Sequence, residues 1–333
     1  MGSTGLGWPN PGVPRVRPRG HWLRVVPFLP QILWVGTRHP RLLASLYALE
    51  APAEFGQWVF ARLSHRDVEL VVLRANWNAG HYTHWSLHAL WGRIREGREF
   101  LDAVRVGPAD PFWDARGSAL LRAVDELHDD LAIGPDTLDA LVGFGYRDAE
   151  LTEICFITAH YEMLGMLFES AGMPAEFFVP TPNPGPGPIP RRRRRPARRF
   201  DTGLDPRRPC WPGAGHLLGE HRFLRVALWM FGRAAANWAT VDSSELATAL
   251  SRRAGRPQTR DFTSGDHEEA GARCRVLCRA VDELDSEYFL SDDTWVELLR
   301  YLTVAQVLEL CVLVGHYRFF EMIVNTLEPI ELG

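Results

Sequence analysis

Residues 120–141 read LLRAVDELHDDLAIGPDTLDAL, and residues 276–299 read VLCRAVDELDSEYFLSDDTWVELL. In each copy a second block follows, which reads ELTEICFITAHYEMLGMLFESAG at 150–172 and VLELCVLVGHYRFFEMIVNTL at 307–327. The register slips by one residue between the blocks, which places a single deletion in the loop between them. Such a repeat predicts two copies of one supersecondary unit that bury their apolar faces against each other.

Apolar residues recur with helical spacing in both copies. The positions that follow the i, i+3, i+4, i+7 template are Leu151, Ile154, Cys155 and Thr158 in the first copy and Val307, Leu310, Cys311 and Val314 in the second. Helix start signals precede them at Gly134-Pro135 and at Ser291-Asp292. Alternating strand patterns bounded by hairpin turns are absent from the sequence. We therefore predict an all-α fold.

The composition favours a reduced, intracellular protein. The length of 333 residues is typical of about two domains, and the formal charge of −4 gives no global reason to expect a nucleic-acid partner. The five cysteines include no CxxC pair, so a reducing compartment is the simpler interpretation. The N-terminus lacks the apolar core of a signal peptide, and no apolar run of about 18 residues follows it. We expect a cytoplasmic protein with no membrane partner.

The segment between the copies has the composition of a linker. It reads PTPNPGPGPIP at 180–190 and RRRRRPARR at 191–199, which favours an extended, solvated backbone. A run of arginines can bind phosphates, but no aromatic residues are interleaved with it, and we interpret it as a solvated spacer. The predicted domains are a disordered N-terminus (1–20), an N-terminal repeat (21–175), a Pro/Arg-rich linker (176–212) and a degenerate C-terminal repeat (213–333).

Only the first copy is preceded by a segment with many reactive side chains. This segment reads ELVVLRANWNAGHYTHWSLHA at 69–89. Asn78-Ala79-Gly80 predicts a helix break, so Glu69 lies on one helix and His81 lies near the start of the next. At about 100° per residue, His81, His84 and His88 share a face about 60° wide. Because a helix N-terminus disfavours an imidazolium, we expect His81 to stay neutral.

At these residues the sequence resembles the carboxymuconolactone decarboxylase family, whose members share the alkylhydroperoxidase D-like helical fold. The resemblance covers roughly 60–172, with 276–327 as a second copy of the C-terminal part. Its specific pieces are ELVVLR at 69–74, GHYTHWSLHA at 80–89, LLRAVDELHDD at 120–130 and AHY at 159–161. The resemblance implies a tandem-duplicated helical bundle of that fold. Family members commonly form trimers or hexamers, so it also implies a homo-oligomer.

The chain departs from the peroxidase branch of that family at the reactive cysteines. That branch carries a Glu, then a CxxC pair, then a His four residues after the second Cys. Here Glu69 and His88 match the two ends, but His81 and His84 occupy both cysteine positions. The dithiol is therefore missing, and with it the thiolate chemistry of the peroxidases. The decarboxylase branch uses acid–base chemistry on a lactone acid, which this segment could imitate.

We therefore expect a cofactor-independent acid–base enzyme, a lyase, isomerase or cyclase that acts on a small carbonyl, carboxylate or lactone compound. Glu69 and His88 are the expected proton-transfer pair. His81 and His84 are the expected second base or oxyanion partner. Two other classes stay open. One is a non-catalytic protein of the same fold that binds a ligand or a partner. The other is a metal-dependent enzyme that uses the cluster of His81, His84 and His88, with His81, His84 and Glu69 as the first ligands to test.

Further side chains are expected to bind the substrate or to pack. Arg74 is a candidate anchor for a substrate carboxylate, and Tyr82 and Trp85 are candidate contacts for the rest of the substrate. His160 and His316 occur in both copies, including the copy without a reactive segment. That recurrence favours a structural role for these two histidines.

Overall fold

The computed structural model describes residues 15–16, 32–50, 62–173, 221–241, 245–246, 249–250 and 267–327. Within these ranges the chain folds into helices and contains no strand, which confirms the all-α prediction for this part of the chain. The helices are α1 (Ile32–Arg38), α2 (Pro40–Glu50), α3 (His65–Asn78), α4 (Tyr82–Glu96), α5 (Arg98–Val106), α6 (Ala115–Asp130), α7 (Pro135–Gly143), α8 (Asp148–Ser170), α9 (Arg222–Trp238), α10 (His267–Ser286), α11 (Asp292–Leu298) and α12 (Val304–Leu327). The predicted linker at 176–212 lies outside the described residues, as does the predicted disordered N-terminus apart from residues 15–16.

The helices α8 and α12 pack against each other at the centre of the core. The faces predicted from the sequence repeat are buried, and Ile154 and Leu310 are both fully inaccessible. Gly315 permits the close approach, because a Cβ at this position would lie 2.5 Å from the Cβ of Met163. Each fully buried Leu or Ile contributes about 1.5–3 kcal/mol to stability, so this interface is a major part of the core.

Equivalent loops in the two segments α6–α8 and α10–α12 are stabilised by equivalent hydrogen bonds. In the first segment Glu126 accepts from the backbone N–H of Gly134 (2.8 Å) and from the hydroxyl of Thr137 (2.7 Å). In the second, the corresponding residues are Glu283, Ser291 and Thr294, at 2.8 and 2.6 Å. The N-caps predicted at Gly134 and Ser291 are confirmed.

One buried glutamate on each central helix accepts hydrogen bonds from two consecutive backbone N–H groups of a segment elsewhere in the chain. Glu153 on α8 accepts from the backbone N–H groups of Arg62 (2.8 Å) and Leu63 (3.0 Å), just before α3. Glu309 on α12 accepts in the same way from Thr240 (2.6 Å) and Val241 (3.1 Å). Equivalent side chains thus make equivalent contacts in the two halves, in agreement with their sequence correspondence.

The histidines that cap the N-termini of α2 and α9 each contact a glutamate of the other half. The Nδ1 atom of His39 accepts from Leu42 N (3.1 Å), while its Nε2 atom lies 2.8 Å from Glu309 on α12. The Nδ1 atom of His221 accepts from Leu224 N (3.2 Å), and its Nε2 atom lies 3.8 Å from Glu153 on α8. The first half therefore contributes a helix to the second half and receives one from it, which joins the two halves into one packed unit.

A buried charged network lies where α8 and α12 cross. Arg318 donates to Glu162 through Nε (3.0 Å) and Nη2 (2.5 Å), and both side chains are fully inaccessible. His128 approaches Glu162 Oε1 at 2.8 Å, and Arg318 donates to Asp285 at 2.8 Å. Arg318 also donates to the hydroxyl of Tyr288 at 2.8 Å. Every charge in this network has a partner, which is the condition under which buried ions are tolerated.

Candidate functional site

A tight reversal between α3 and α4 brings the reactive side chains together. The helix break predicted at 78–80 is confirmed, since α3 ends at Asn78 and Gly80 adopts a left-handed φ of 65°. The backbone N–H of His81 then donates to the carbonyl of Asn76 at 2.9 Å, and His81 is the N-cap of α4. The two helices consequently run back along each other, with Glu69 on α3 opposite His88 on α4.

His88 lies between a buried carboxylate and a buried phenol. Its Nδ1 atom is 3.4 Å from Glu69, and its Nε2 atom is 3.1 Å from the hydroxyl of Tyr161 on α8. Glu69 Oε1 is buried and accepts no hydrogen bond from the described residues. Because an ionised carboxylate can only accept, Nδ1 carries the proton toward Glu69, and Nε2 accepts from the Tyr161 hydroxyl. The three groups therefore form a continuous path for a proton.

Tyr161 is a site residue that the sequence analysis did not identify as one. It was recognised as part of the AHY motif, but Tyr317 occupies the corresponding position in the second copy. The position in the repeat therefore does not distinguish the two tyrosines. In the structure, the Tyr161 hydroxyl lies 3.1 Å from His88 on α4.

His81 and His84 form a second pair beside this path. The Nε2 atom of His81 and the Nδ1 atom of His84 are 3.1 Å apart, so the two rings share one proton between these atoms. The ring of Phe168 stacks on His81, with centroids 5.8 Å apart, and the edge of Tyr161 faces His84 at 5.8 Å. Gly165 on α8 leaves room for the side chain of His81, because a Cβ at position 165 would lie 3.3 Å from the Cβ and Cγ atoms of His81.

Burial keeps these imidazoles neutral. It lowers the pKa of His81 to about 3, a change that the carbonyl of Tyr161 opposes in part. The pKa of His84 is also lowered, first by burial and then by the neighbouring histidines 81, 88 and 160. Both shifts agree with the sequence expectation that His81 stays neutral. At neutral pH the pair can donate or accept a hydrogen bond without carrying a charge.

His160 lies closer to the site than its predicted structural role implies. It is buried, stacks on Phe156 and contacts the Tyr161 ring edge at a centroid distance of 5.6 Å. Burial lowers its pKa to about 3. The pKa of its counterpart His316 is lowered to about 4 for the same reason. His160 therefore adds a further neutral imidazole to the side of the cluster formed by α8.

Arg74 does not belong to this cluster, which corrects its expected role as a carboxylate anchor. It is buried and forms a two-point ion pair with Asp125, at 2.6 and 2.8 Å. Its Nη1 atom donates to the carbonyls of Val104 (2.7 Å) and Arg105 (3.1 Å). A Cβ at Gly107 would lie 2.5 Å from this guanidinium, so the loop backbone encloses it. Arg74 thus connects α3, α5 and α6 and has a structural function.

The two predicted aromatic contacts have different outcomes. Trp85 is fully inaccessible and packs against Trp77 with centroids 5.7 Å apart, while the Arg105 guanidinium lies 4.7 Å from its ring. Its expected role as a substrate contact is therefore corrected to a core residue. Tyr82 begins α4, but its side chain lies outside the described part of the structure.

The alternative metal site receives no geometric support in the described ranges. Among the described residues, no group of three or more His, Cys, Asp or Glu side chains is placed to bind one ion. Glu69 contacts His88, whereas His81 and His84 contact each other. Neither ligand set, His81 and His84 with His88 or with Glu69, is therefore placed as one group around a single point.

The described part of the second half contains an ion pair that corresponds in sequence to one beside this region. Arg116 on α6 pairs with Asp67 at the start of α3, and Arg273 on α10 pairs with Glu245 at 2.9 Å. When the sequences are aligned so that Glu245 matches Asp67, Ala247 corresponds to Glu69. The sequence also contains no histidine at 242–266. The candidate site is therefore confined to the first half.

No protein-family model matches the chain, and no curated protein and no solved structure is detectably similar to it. No helix in the described ranges is long and apolar enough to cross a membrane.

Proposed function

We propose that this protein is a cofactor-independent acid–base enzyme, a lyase, isomerase or cyclase that acts on a small carbonyl compound. The observation that carries the proposal is the position of His88 between Glu69 (3.4 Å) and the Tyr161 hydroxyl (3.1 Å). Hydrogen bonds of this kind are often long without substrate and shorten when it binds. The side chains of Glu69 and His88 are only about a tenth exposed, so water competes little for the proton.

The path supports a simple proton transfer. The Tyr161 oxygen takes a proton from a carbon next to the substrate carbonyl, while its own proton passes to His88 Nε2. The resulting imidazolium is stabilised by the carboxylate of Glu69, which a buried environment strengthens. Return of the proton to the same or another atom completes an isomerisation, an elimination or a ring closure. The neutral His81–His84 pair is suited to hydrogen-bond the oxygen that becomes negative during this transfer.

The equivalent contacts of the two halves support a duplicated origin, and with the residue pattern at 69–89 they support the alkylhydroperoxidase D-like fold of the carboxymuconolactone decarboxylases. In this proposal the second half is a degenerate copy that supplies packing and no chemistry. A subunit contact of a homo-oligomeric ancestor is then replaced by the internal α8–α12 interface. Cys155, Cys278 and Cys311 are buried thiols, which supports a reducing, cytoplasmic location.

The test is the exchange of carbon-bound protons with solvent. Purified protein is incubated in D₂O with neutral ketones and β-diketones such as 2,4-pentanedione, and deuterium incorporation is followed by proton NMR. Glu69→Gln and His88→Ala should each slow the exchange by about 10²–10⁴-fold and leave the helical circular-dichroism spectrum unchanged. Wild-type rates in both variants would contradict the assignment of these residues.

Two control substitutions on α3 and α4 distinguish a loss of catalysis from a general loss of structure. Glu96 pairs with Arg66 on the surface, and His65 contacts Arg95 at the start of α3. Glu96→Gln and His65→Ala should exchange at the wild-type rate, because neither side chain touches the cluster. A protein that binds these compounds tightly but never accelerates exchange would instead belong to the non-catalytic class.

A further inference from the structure

The charges around the candidate site restrict the substrates that it can accept. Resting on the proposed function, we propose that the site takes neutral carbonyl compounds, such as ketones, esters and lactones, and discriminates against substrates that carry a carboxylate. This narrows the substrate class expected from the sequence, which included carboxylates and relied on Arg74 to bind them.

Glu69 already places one carboxylate in the site. Glu69 is buried, and its Oε1 atom accepts no hydrogen bond from the described residues. Its nearest polar contact in the site is His88, which is itself shared with Tyr161. A second carboxylate beside the buried Glu69 would repel the first, since the interaction between like charges grows as the local dielectric falls.

The described groups around the cluster do not compensate the charge of an added carboxylate. Among the described residues of α3, the buried cation is Arg74, which is held by Asp125 and by two peptide carbonyls. The Nε2 atom of His81 and the Nδ1 atom of His84 lie 3.1 Å apart and share one proton, so the two imidazoles are hydrogen-bonded to each other. Among the described residues, the donors at the cluster are a phenol and imidazole N–H groups. Such neutral donors recognise a carbonyl oxygen but do not neutralise a carboxylate.

The aromatic side chains beside the cluster also favour a neutral carbonyl compound. Phe168 stacks on His81 at a centroid distance of 5.8 Å and contacts His84 in a tilted arrangement at 5.1 Å. The face of α4 that carries His84 and His88 continues one turn further to Trp91, which is half exposed. An apolar compound with one polar carbonyl group matches this combination of aromatic rings and few polar groups.

The experiment compares methyl 4-oxopentanoate with 4-oxopentanoate. The two compounds share the same ketone, and only the second carries a remote negative charge. Deuterium exchange beside the ketone is measured with the full-length protein, and each rate is divided by the rate in buffer alone. We expect kcat/KM for the ester to exceed that for the carboxylate by about tenfold to a hundredfold. Equal rates, or a preference for the carboxylate, would overturn the proposal.

A binding measurement tests whether Glu69 causes the discrimination. In saturation-transfer NMR, Glu69→Gln should bring the affinities for the two compounds closer together, because the substitution removes the resident charge and keeps the shape. Glu96→Gln on the surface should leave their ratio unchanged. An unchanged ratio in Glu69→Gln would also contradict the proposal. Exchange of both compounds at equal rates, abolished by His88→Ala, would leave the acid–base function standing and reject only the substrate class. No exchange of either compound would count against both.

Discussion

Glu162 and Arg318 occupy corresponding positions in the two copies of the repeat and form a buried ion pair with each other at 2.5 Å. His128 and Asp285 also correspond, and each contacts the charged residue of its own half. The two halves thus use opposite charges at one equivalent place. Two identical halves could not do this, because they would bring Glu162 against Glu162 or Arg318 against Arg318. The charge pattern therefore favours pairing between unlike halves within one chain.

Removing one member of this pair should destabilise the protein strongly. Glu162→Leu leaves Arg318 buried without its main counter-charge, and we expect a loss of about 3–5 kcal/mol in the free energy of unfolding. The double variant Glu162→Leu with Arg318→Met should lose less than Glu162→Leu alone. Urea denaturation of both variants measures the difference. The surface variant Glu96→Gln, which should cost less than about 1 kcal/mol, is the control. A single variant as stable as that control would refute the role of the pair.

The protein should lose stability as the pH falls from about 6.5 toward 3. The pKa values of His81 and His160 are lowered to about 3, and that of His316 to about 4, because burial penalises the imidazolium. In this window the unfolded chain binds more protons than the folded chain, so stability is complete above the unfolded pKa and declines below it. Each histidine contributes a slope of about 1.4 kcal/mol per pH unit.

Thermal melting between pH 7 and pH 4.5 checks this dependence. His316→Leu removes one imidazole with a lowered pKa outside the candidate site, so the difference in melting temperature between the two pH values should shrink. A melting temperature that does not change across this range in the wild-type protein would contradict the burial of neutral histidines.

Gly165→Ala should impair activity more than stability. The added Cβ would lie 3.3 Å from His81, closer than most contacts of this kind, so the imidazole must move away from α8 and from its place beside His84. We expect the exchange rate to fall by about tenfold, because a misplaced donor weakens transition-state stabilisation. Gly143→Ala is the matched control, since a Cβ there meets no atom within 4 Å. Equal rates for the two variants would show that the position of His81 is unimportant.

Truncation after Pro212 should make the first half self-associate. The shortened chain keeps every proposed reactive residue but exposes the face of α8 that α12 covers, including Ile154 and Cys155. The loss is on the order of several kcal/mol from apolar area alone, and Glu162 also loses Arg318. Light scattering and thermal melting should report aggregation. A soluble, monomeric and fully folded fragment would show that the first half is independent.

The sequence predicted local features of this structure well. Helical periodicity, the break at 78–80 and the caps at Gly134 and Ser291 all depend on residues near in sequence, and each was found as expected. The burial of the α8 and α12 faces followed from the repeat, because equivalent apolar faces without partners must cover each other.

The sequence could not predict which distant residues meet. Arg74 has the chemistry of a substrate anchor, and only the position of Asp125 on another helix makes it structural. Tyr161 carried no signal of function on its own, since its role comes from its 3.1 Å contact with His88 across two helices. Partner choice of this kind is set by tertiary packing, and the spacing of residues along the chain does not report it.

The most direct test of the proton path is a comparison of Tyr161→Phe with Tyr317→Phe. The two tyrosines occupy corresponding positions and are both buried, so the substitutions remove the same hydroxyl from similar surroundings. Only Tyr161 contacts His88. In the D₂O exchange assay with 2,4-pentanedione, we expect Tyr161→Phe to be slower than the wild-type protein by about 10²–10⁴-fold and Tyr317→Phe to remain within about twofold. Equal rates for the two variants would contradict a proton path through Glu69, His88 and Tyr161.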